Sequence, residues 1–263
     1  MQKNQQVMYP EEREYSWQDG KTLTIGKKTL IMGILNVTPD SFSDGGKWNS
    51  VDRAVQHMLE MVVNGADIID IGAESSRPGF VTMSAKEEIE RLKPFLEAVL
   101  PACPVPVSID TFKAETAAYA AEQGVHMLND IWGLQYAEEP GEMAKVAAEY
   151  DLPVVVMHNR DSKVYKGDII DSMRAFFQRS IDIACEAGVK QENIILDPGI
   201  GFGKDVEGNL EVMNRLQELK KFAGHRYPLL LGTSRKSFIG NTLDLPVEDR
   251  MEPSGATCVL CIT

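Results

Sequence analysis

The fold is decided by the stretch Ile194-Ile195-Leu196-Asp197-Pro198-Gly199-Ile200-Gly201-Phe202-Gly203-Lys204. Three apolar residues lead directly into an aspartate, a pattern that indicates a buried strand ending at a polar site. The glycines that follow allow the backbone to turn and to approach another molecule closely. We refer to residues 199–203 as the glycine loop. The stretch therefore predicts a carboxylate at a strand end, beside a loop suited to contact a ligand.

The same layout recurs along the chain. Seven apolar segments are predicted as strands, at residues 29–35, 67–72, 105–109, 125–128, 153–157, 194–196 and 229–232. Helical periodicity predicts helices at about 51–64, 84–100, 113–124, 141–150, 169–187, 206–221 and from 247 onward. Continuous apolar strands joined by helices are typical of a parallel sheet covered on both faces. The fold class is therefore predicted as α/β, a TIM (β/α)8 barrel, with a doubly wound sheet as the alternative.

An N-terminal β-hairpin is predicted ahead of the barrel, because Asp19-Gly20 separates alternating segments at 15–18 and 21–25. Residues 1–14 are polar and are expected to be flexible. No linker-like composition interrupts the remaining chain, so residues 1–263 are predicted to form a single domain. The sequence contains neither a signal-peptide core nor an apolar run near the roughly 20 residues of a membrane helix, which predicts a cytoplasmic protein without a membrane partner.

Composition and motifs argue against several other functions. A formal net charge of -12 argues against nucleic acid as a partner, because a phosphate-binding surface needs basic patches. A small anionic substrate stays compatible, since a few cations at one site outweigh a diffuse acidic exterior. The glycine loop is not a P-loop, which would need glycine in place of Pro198 and a hydroxyl in place of Asp205. The histidines show no triad-like grouping, and the lone Cys258-x-x-Cys261 is weak support for zinc.

Polar residues follow every predicted strand. They are Asn36, residues 74–79, Asp110 with Thr111, Asn129 with Asp130, residues 158–160, Asp197 and residues 233–237. A single aspartate after a strand is usually a helix N-cap, but polar residues at all seven strand ends would meet on the one face of a barrel where active sites lie. Asp67 and Asp70 are interpreted as structural residues instead.

The residue types on this face suggest the chemistry of the ligand. The face combines carboxylates, amides and cations: Asp110, Asp197, Asn36, Asn129, Arg77 and Lys236. Carboxylates and amides suit the N–H and N edge of a flat heterocycle, and cations suit an anionic leaving group. Asn36 is also a candidate oxygen ligand for Mg²⁺ bound mainly through water and phosphate oxygens.

Seven motifs together resemble the dihydropteroate synthase family. They lie at residues 34–46 (Ile-Leu-Asn-Val-Thr-Pro-Asp-Ser-Phe-Ser-Asp-Gly-Gly), 74–79 (Glu-Ser-Ser-Arg-Pro-Gly), 108–111, 129–130, 157–158, 197–204 and 232–237. The resemblance extends over residues 15–262. It implies a TIM barrel that condenses 4-aminobenzoate with 6-hydroxymethyl-7,8-dihydropterin pyrophosphate and releases dihydropteroate and pyrophosphate. It also implies Mg²⁺ as a cofactor, a homodimer, and sulfonamides as inhibitors.

The resemblance assigns roles residue by residue. It implies that Asp110, Lys236, Arg77 and Asp40 are catalytic, with Asp110 stabilising a cation-like pterin methylene, and that Asn36 is the Mg²⁺ ligand. The implied substrate-binding residues are Ser76, Asp110, Asn129, Ile131, Met157, Asp197, Phe202, Gly232, Lys236, Ser237, Phe42 and Pro78. Four of these match the aminobenzoate pocket: Phe42, Pro78, Phe202 and Ser237. Ser76 stands where the family usually has threonine, which keeps the hydroxyl.

The chain departs from the family pattern at the last strand. The family carries an Arg-x-His pair on an eighth strand, where it binds pyrophosphate and its metal, and this sequence contains no such pair. The eighth βα unit is therefore expected to be missing, with open edges at the first and seventh barrel strands. Two alternatives are a catalytically impaired pterin-binding homologue and a barrel methyltransferase of the methyltetrahydrofolate type. Residues 38–46 and 77–79 argue against the methyltransferase, since they match motifs for aminobenzoate and pyrophosphate.

Overall fold

The computed structural model describes residues 12–38, 46–74, 82–222 and 224–262. The strands are β1 (Arg13–Ser16), β2 (Thr22–Ile25), β3 (Met32–Asn36), β4 (Ile68–Gly72), β5 (Val107–Asp110), β6 (Met127–Asp130), β7 (Val154–Met157), β8 (Ile194–Asp197), β9 (Lys221–Phe222) and β10 (His225–Arg226). The helices are α1 (Gly46–Val63), α2 (Ala85–Ala102), α3 (Ala114–Gln123), α4 (Glu142–Glu149), α5 (Ile169–Ala187), α6 (Val206–Asn214), α7 (Ser237–Leu243) and α8 (Met251–Ile262). Within these ranges no helix has both the length and the apolar composition to cross a membrane.

Strands β3 to β8 form one parallel sheet in sequential order. A doubly wound sheet would reverse its order at a switch point. Here every strand pairs with the next one along the chain, which is the winding of a barrel, so the doubly wound alternative is wrong. Leu229 continues the winding through a parallel bridge to Leu196, and the predicted seventh strand is reduced to that bridge in the described chain. Among the described residues β3 pairs with β4 alone, and Ile34 at this edge is 55% exposed.

The alternation of side chains along the strands creates two cores. Outward residues such as Leu35, Ile69 and Ile71 are fully buried beneath the helices. The inward core consists of Leu23, Ile68, Met127, Val155 and Ile195. Two positions further along the same strands lie Asp70, Asn129, Met157 and Asp197. Because strand side chains repeat with a period of two, a largely polar layer follows the inner apolar core toward the carboxyl ends of the strands.

The predicted hairpin is confirmed and closes the amino-terminal end of the strands. β1 and β2 pair in antiparallel fashion, beginning at Arg13, two residues earlier than predicted. The indole of Trp17 lies edge-on to the imidazole of His126, with centroids 5.0 Å apart. Asp19 Oδ2 lies 3.0 Å from His126 Nε2, and Arg13 donates to the carbonyl of Ile194 at 3.1 Å. Since these partners stand at the beginnings of β6 and β8, the hairpin covers the end of the barrel where those strands start.

Helix boundaries follow local capping chemistry where it is present. Ser84 and Glu87 form a capping box at the start of α2. Asp168 caps the start of α5, and Gly188, with a φ of 97°, ends it. Helix α6 ends at Asn214 rather than at 221, because the chain turns into a 3-10 segment at 216–218. Helix α7 was not predicted, and α8 begins at Met251 after a further 3-10 turn rather than at 247.

Candidate active site

A cavity of about 580 Å³ opens at the carboxyl-terminal ends of the strands. Four of the predicted site residues line it: Asp110, Ile131, Phe202 and Ser237. Active sites of parallel barrels lie on this face, where the loops after successive strands converge. The cavity is therefore the candidate active site.

The sheet register places predicted polar residues side by side at this end. Asn36 pairs with Gly72, Gly72 with Asp110, and Asp110 with Asn129. A Cβ at Gly72 would lie 3.3 Å from Asp110 Oδ2, so the glycine leaves room for that carboxyl group. Asn129 Nδ2 donates to Asp70 Oδ2 at 2.9 Å. This bond confirms Asp70 as a structural partner that orients the Asn129 amide.

Asp197 is a buried carboxylate with one fixed partner. It pairs with Met157 at the ends of β8 and β7 and is 7% exposed. Its Oδ1 accepts a hydrogen bond from the Gly199 N–H at 2.7 Å. Burial raises the pKa of Asp197, and the ammonium of Lys236 is the strongest influence that lowers it. The remaining acceptor capacity of the carboxylate is available to a ligand with N–H groups.

Lys236 is held against the glycine loop. Its ammonium donates to the carbonyl of Ile200 and lies 4.8 Å from the centroid of the Phe202 ring. A Cβ at Gly201 would lie 3.0 Å from Lys236 Cδ, and one at Gly232 would lie 3.6 Å from Nζ. Burial lowers the pKa of Lys236, and the carboxylate of Asp197 opposes that change. The two glycines therefore make room for the lysine, which brings a cation close to Asp197.

Asp110 lies half-buried in the cavity wall among other acids. Burial is the main cause that raises the pKa of Asp110 well above the usual range, followed by the nearby carboxyl groups of Asp70, Glu88, Asp130 and Glu74. Asp110 therefore binds its proton more tightly than a solvated aspartate does. A positive charge placed beside it would favour the ionised form.

Two side chains donate to the carbonyl groups of the glycine loop. Lys204 Nζ donates to the carbonyls of Gly199 at 2.9 Å and Phe202 at 3.0 Å. The hydroxyl of Tyr165 donates to the carbonyl of Gly203 at 3.0 Å. The loop is thus fixed through three of its carbonyl groups.

The amides of the glycine loop are also engaged. Besides the bond from Gly199 to Asp197, the Gly201 N–H donates to Asn209 Oδ1 at 2.7 Å and the Phe202 N–H to the carbonyl of Gly199 at 3.0 Å. A phosphate cradle requires free N–H groups that point at the anion. Because these three are already bonded, the loop serves as a wall of the cavity, in agreement with the exclusion of a P-loop.

Comparison with known proteins identifies the family. Residues 32–263 match the family of pterin binding enzymes. The chain belongs to this family. The dihydropteroate synthase of Clostridium beijerinckii is 54% identical over 242 residues, which are 92% of this chain and 87% of that protein. The dihydropteroate synthase of Bacillus subtilis is 52% identical over 91% of this chain and 82% of that protein. The function is that of a dihydropteroate synthase in folate biosynthesis, and the enzyme is a transferase.

Solved structures of the family share the fold. The dihydropteroate synthase of Clostridium difficile, determined with pteroic acid, gives a TM-score of 0.85 at 51% identity and covers 90% of this chain and 88% of its own. The enzyme of Xanthomonas albilineans, determined with 4-aminobenzoic acid, gives a TM-score of 0.84 at 36% identity. The match covers 93% of this chain and 87% of that one. The enzyme of Yersinia pestis, determined with a sulfonamide drug, gives a TM-score of 0.83 at 40% identity. The match covers 95% of this chain and 90% of that one. The predicted TIM-barrel class is confirmed.

Five predicted site residues of this pterin-binding enzyme lie outside the described residues: Asp40, Phe42, Ser76, Arg77 and Pro78. Their roles stay predictions. Of the others, Met157 is buried at the end of β7, and Gly232 stands beside the Lys236 ammonium.

Asn36 is the predicted Mg²⁺ ligand. It is exposed, ends β3 and lies in the same register as Asp110. In the described ranges, no three His, Cys, Asp or Glu side chains are grouped so as to hold a metal ion. Asn36 offers one amide oxygen, the kind of hard donor that Mg²⁺ takes when phosphate oxygens and water supply the remaining ligands.

The sequence analysis missed a buried ionic cluster in the wall of the cavity, close to Asp110. Lys113 Nζ donates to the carboxylates of Glu74 and Glu88, the latter at 3.1 Å. Thr116 adds a 2.9 Å hydrogen bond to Glu88. The side chains of the three charged residues are 6%, 9% and 1% exposed. They come from three separate elements, and no single motif contains them, so sequence spacing gave no signal for the cluster.

We expect Lys113→Met to lower the free energy of unfolding by about 3 kcal/mol at pH 7.5, because it leaves two buried carboxylates without a cation. The pKa of Glu88 is already raised by burial, and Lys113 is the main influence that lowers it. Without Lys113 this pKa rises further above its unfolded value. The folded variant then binds more protons than the unfolded chain as the pH falls, so its deficit shrinks toward pH 5.5. Urea denaturation at both pH values measures the change.

Lys145→Met is the matched control for this prediction. Lys145 pairs with Glu142 on the surface, and their side chains are 65% and 50% exposed. Exposed pairs contribute little, so its loss is expected to stay below about 0.5 kcal/mol at both pH values. Equal losses in the two variants would contradict the importance of the buried cluster.

Proposed function

We propose that the cavity catalyses attack by the amine of 4-aminobenzoate on the methylene carbon of 6-hydroxymethyl-7,8-dihydropterin pyrophosphate. A C–N bond forms as the C–O bond to pyrophosphate breaks, the attacking amine releases one proton to water, and dihydropteroate and pyrophosphate leave. The observation that carries the proposal is the placement of Asp110, Asn129 and Asp197 on one inward face of the barrel, at the carboxyl ends of their strands.

The pterin ring is proposed to bind between Asp197 and Lys236. The carboxylate of Asp197 accepts from the guanidine-like N–H edge of the ring, and Lys236 donates to a ring acceptor on the neighbouring side. Met157 and Gly232 are proposed to line the slot that holds the flat ring. In the Clostridium difficile relative the solved complex contains pteroic acid, the compound class that such a slot would hold.

The arylamine is proposed to bind next to the pterin, against Phe202 of the glycine loop. Phe202 and Ser237 line the same cavity as Asp110, and the Phe202 ring offers an apolar face for a benzene ring. The Xanthomonas albilineans relative was determined with 4-aminobenzoic acid, which supports this substrate. Sulfonamides compete for this position if the proposal holds, as the drug complex of the Yersinia pestis relative suggests.

Different residues are proposed to stabilise the positive charge that develops on the pterin methylene and the negative charge that develops on pyrophosphate. Asp110, whose carboxylate form is favoured by a positive charge beside it, stabilises the pterin methylene as the leaving group departs. Asn36 is the residue that would hold Mg²⁺, which when bound supplies positive charge to the pyrophosphate. Lys236, close to Asp197, keeps the pterin oriented while the bond to the leaving group lengthens.

The cellular setting is proposed from the substrates and the surface. Both substrates are small soluble anions, which supports the cytoplasm as the compartment. Helix α8 exposes Met251, Val259 and Leu260 by 74%, 60% and 72%, which supports a homodimer through this helix.

The proposal is tested with the purified chain, both substrates and Mg²⁺, by measuring dihydropteroate and pyrophosphate. We expect the two products in equal amounts and at least a tenfold lower rate after chelation of the metal. Calorimetry with pterin pyrophosphate is the companion measurement. Pterin binding without turnover would favour the catalytically impaired homologue, and methyl transfer from methyltetrahydrofolate would favour the methyltransferase.

A further inference from the structure

Lys204 is a buried cation that the reaction outlined above does not use. It follows the glycine loop directly and is 3% exposed. Its ammonium lies 2.9 Å from the carbonyl of Gly199, 3.0 Å from that of Phe202 and 3.1 Å from Nδ1 of His158. Three acceptors match the three N–H donors of a protonated lysine. The position is thus built for the charged form of this side chain.

The surroundings show how the charge is tolerated. Burial lowers the pKa of Lys204 to about 7, while the carboxylate of Asp197 acts to raise it. His158 is itself buried, and burial together with Lys204 lowers the pKa of its imidazole to about 2. The neutral imidazole therefore accepts at Nδ1, against the edges of Phe176 and Phe177. The Lys204 amine is buried at the cost of desolvation and meets three acceptors, which indicates a specific task rather than simple packing.

That task concerns the backbone of the glycine loop. Lys204 binds the loop at its first and fourth residues, Gly199 and Phe202, and so fixes the span between them. The backbone of Asp197 is held independently, because it belongs to β8 and pairs with Met157. Phe202 has no such strand support. Loss of the Lys204 ammonium would free the carbonyl of Phe202 and shift its ring in the cavity wall, while Asp197 stays in place.

We propose that Lys204 is a positioning residue that sets the affinity for the arylamine through Phe202 without contacting either substrate. This inference rests on the proposed function, in which Phe202 faces 4-aminobenzoate and Asp197 binds the pterin. It predicts a separation between the two substrates. Damage to the loop appears in the KM for 4-aminobenzoate, and the affinity for pterin pyrophosphate is largely retained.

The test uses the full chain with Lys204→Met. We expect the KM for 4-aminobenzoate to rise at least tenfold at saturating pterin pyrophosphate. The dissociation constant of pterin pyrophosphate, measured by calorimetry, is expected to change less than threefold. If Lys204→Met does not fold, Lys204→Gln replaces it, because its amide keeps two donors; the same separation is then expected at a smaller amplitude, with the KM raised at least threefold.

Tyr165→Phe is the matched control. It removes the tether to Gly203 but leaves the carbonyl of Phe202 bound. We expect both constants of this variant to stay within twofold of those of the wild type. Equal weakening of both substrates in the Lys204 variants, or no change in either, would overturn the positioning role. Absence of wild-type turnover would instead overturn the proposed reaction, so the two failures are distinct.

Discussion

Asp197→Asn is expected to lower kcat/KM at least 100-fold, mainly through lost affinity for the pterin substrate. The carboxylate is 7% exposed and has one internal donor, the Gly199 N–H at 2.7 Å. Asparagine keeps an oxygen for that bond, so the fold is preserved. It replaces the second oxygen by an NH₂ group. This group is a donor and would face the N–H donors of the pterin edge, so no hydrogen bond forms there.

The size of this effect follows from two hydrogen bonds to a charged group. Each contributes about 1.5 to 3 kcal/mol, and every 1.4 kcal/mol is a tenfold change in affinity. Calorimetry with pterin pyrophosphate and steady-state kinetics separate affinity from turnover. Urea denaturation of the same variant checks that the fold is retained.

Asp205→Asn serves as the control with the same chemical change. Asp205 also lines the cavity, but its side chain caps α6 by accepting from the Gly208 N–H at 2.8 Å. Asparagine is an equally good N-cap, so activity within twofold of the wild type is expected. If Asp197→Asn still binds pterin pyrophosphate within a few-fold of the wild type, Asp197 is not the pterin anchor.

Gly199→Ala is expected to lower the free energy of unfolding by more than about 4 kcal/mol, a loss large enough to leave little folded enzyme. The residue has a φ of 61°, and a Cβ there would lie 2.1 Å from the carbonyl oxygen of His158 and 3.2 Å from Met157 Cγ. His158 directly follows β7, and its own N–H donates to the carbonyl of Asp197 at 2.9 Å. Relief of the clash requires the ends of β7 and β8 to separate.

Gly124→Ala is the control that separates the effect of the steric clash at residue 199 from the effect of a positive φ angle alone. Gly124 ends α3 with a φ of 95°, and nothing lies within 4 Å of the position its Cβ would take. The strain of a left-handed residue costs about 1 kcal/mol. Urea denaturation of both variants gives the difference. Similar losses at the two positions would mean that the close approach of β7 and the glycine loop is unimportant.

The architecture could be predicted from the sequence because the signals for strands and helices are local. Continuous apolar segments and caps such as Asp168 with Gly188 lie within a few residues of the structures they specify. The end of α6 could not be seen in this way. Leu216 and Leu219 continue the helical periodicity, yet the chain leaves the helix at Asn214, and Arg215 is bonded to Glu218 at 2.7 Å.

The site was predictable where one residue carries the chemistry. Asp110, Asn129 and Asp197 each follow a predicted strand, and a barrel brings all strand ends together. The partners of Lys113 and Lys204 could not be found by the same reasoning. Glu74 and Glu88 are 39 and 25 residues distant from Lys113 along the chain. Their meeting depends on how α2 and α3 pack, which no short motif records.

The N-terminal hairpin has a practical consequence for attachment chemistry. Its contacts with His126 and Ile194 lie at the starts of strands whose other ends form the cavity. A fluorophore, affinity handle or fused carrier protein joined ahead of Arg13 would be anchored at the pole of the molecule remote from the substrate entrance. Surface immobilisation through this pole should therefore present the cavity to solution and leave ligand exchange unobstructed.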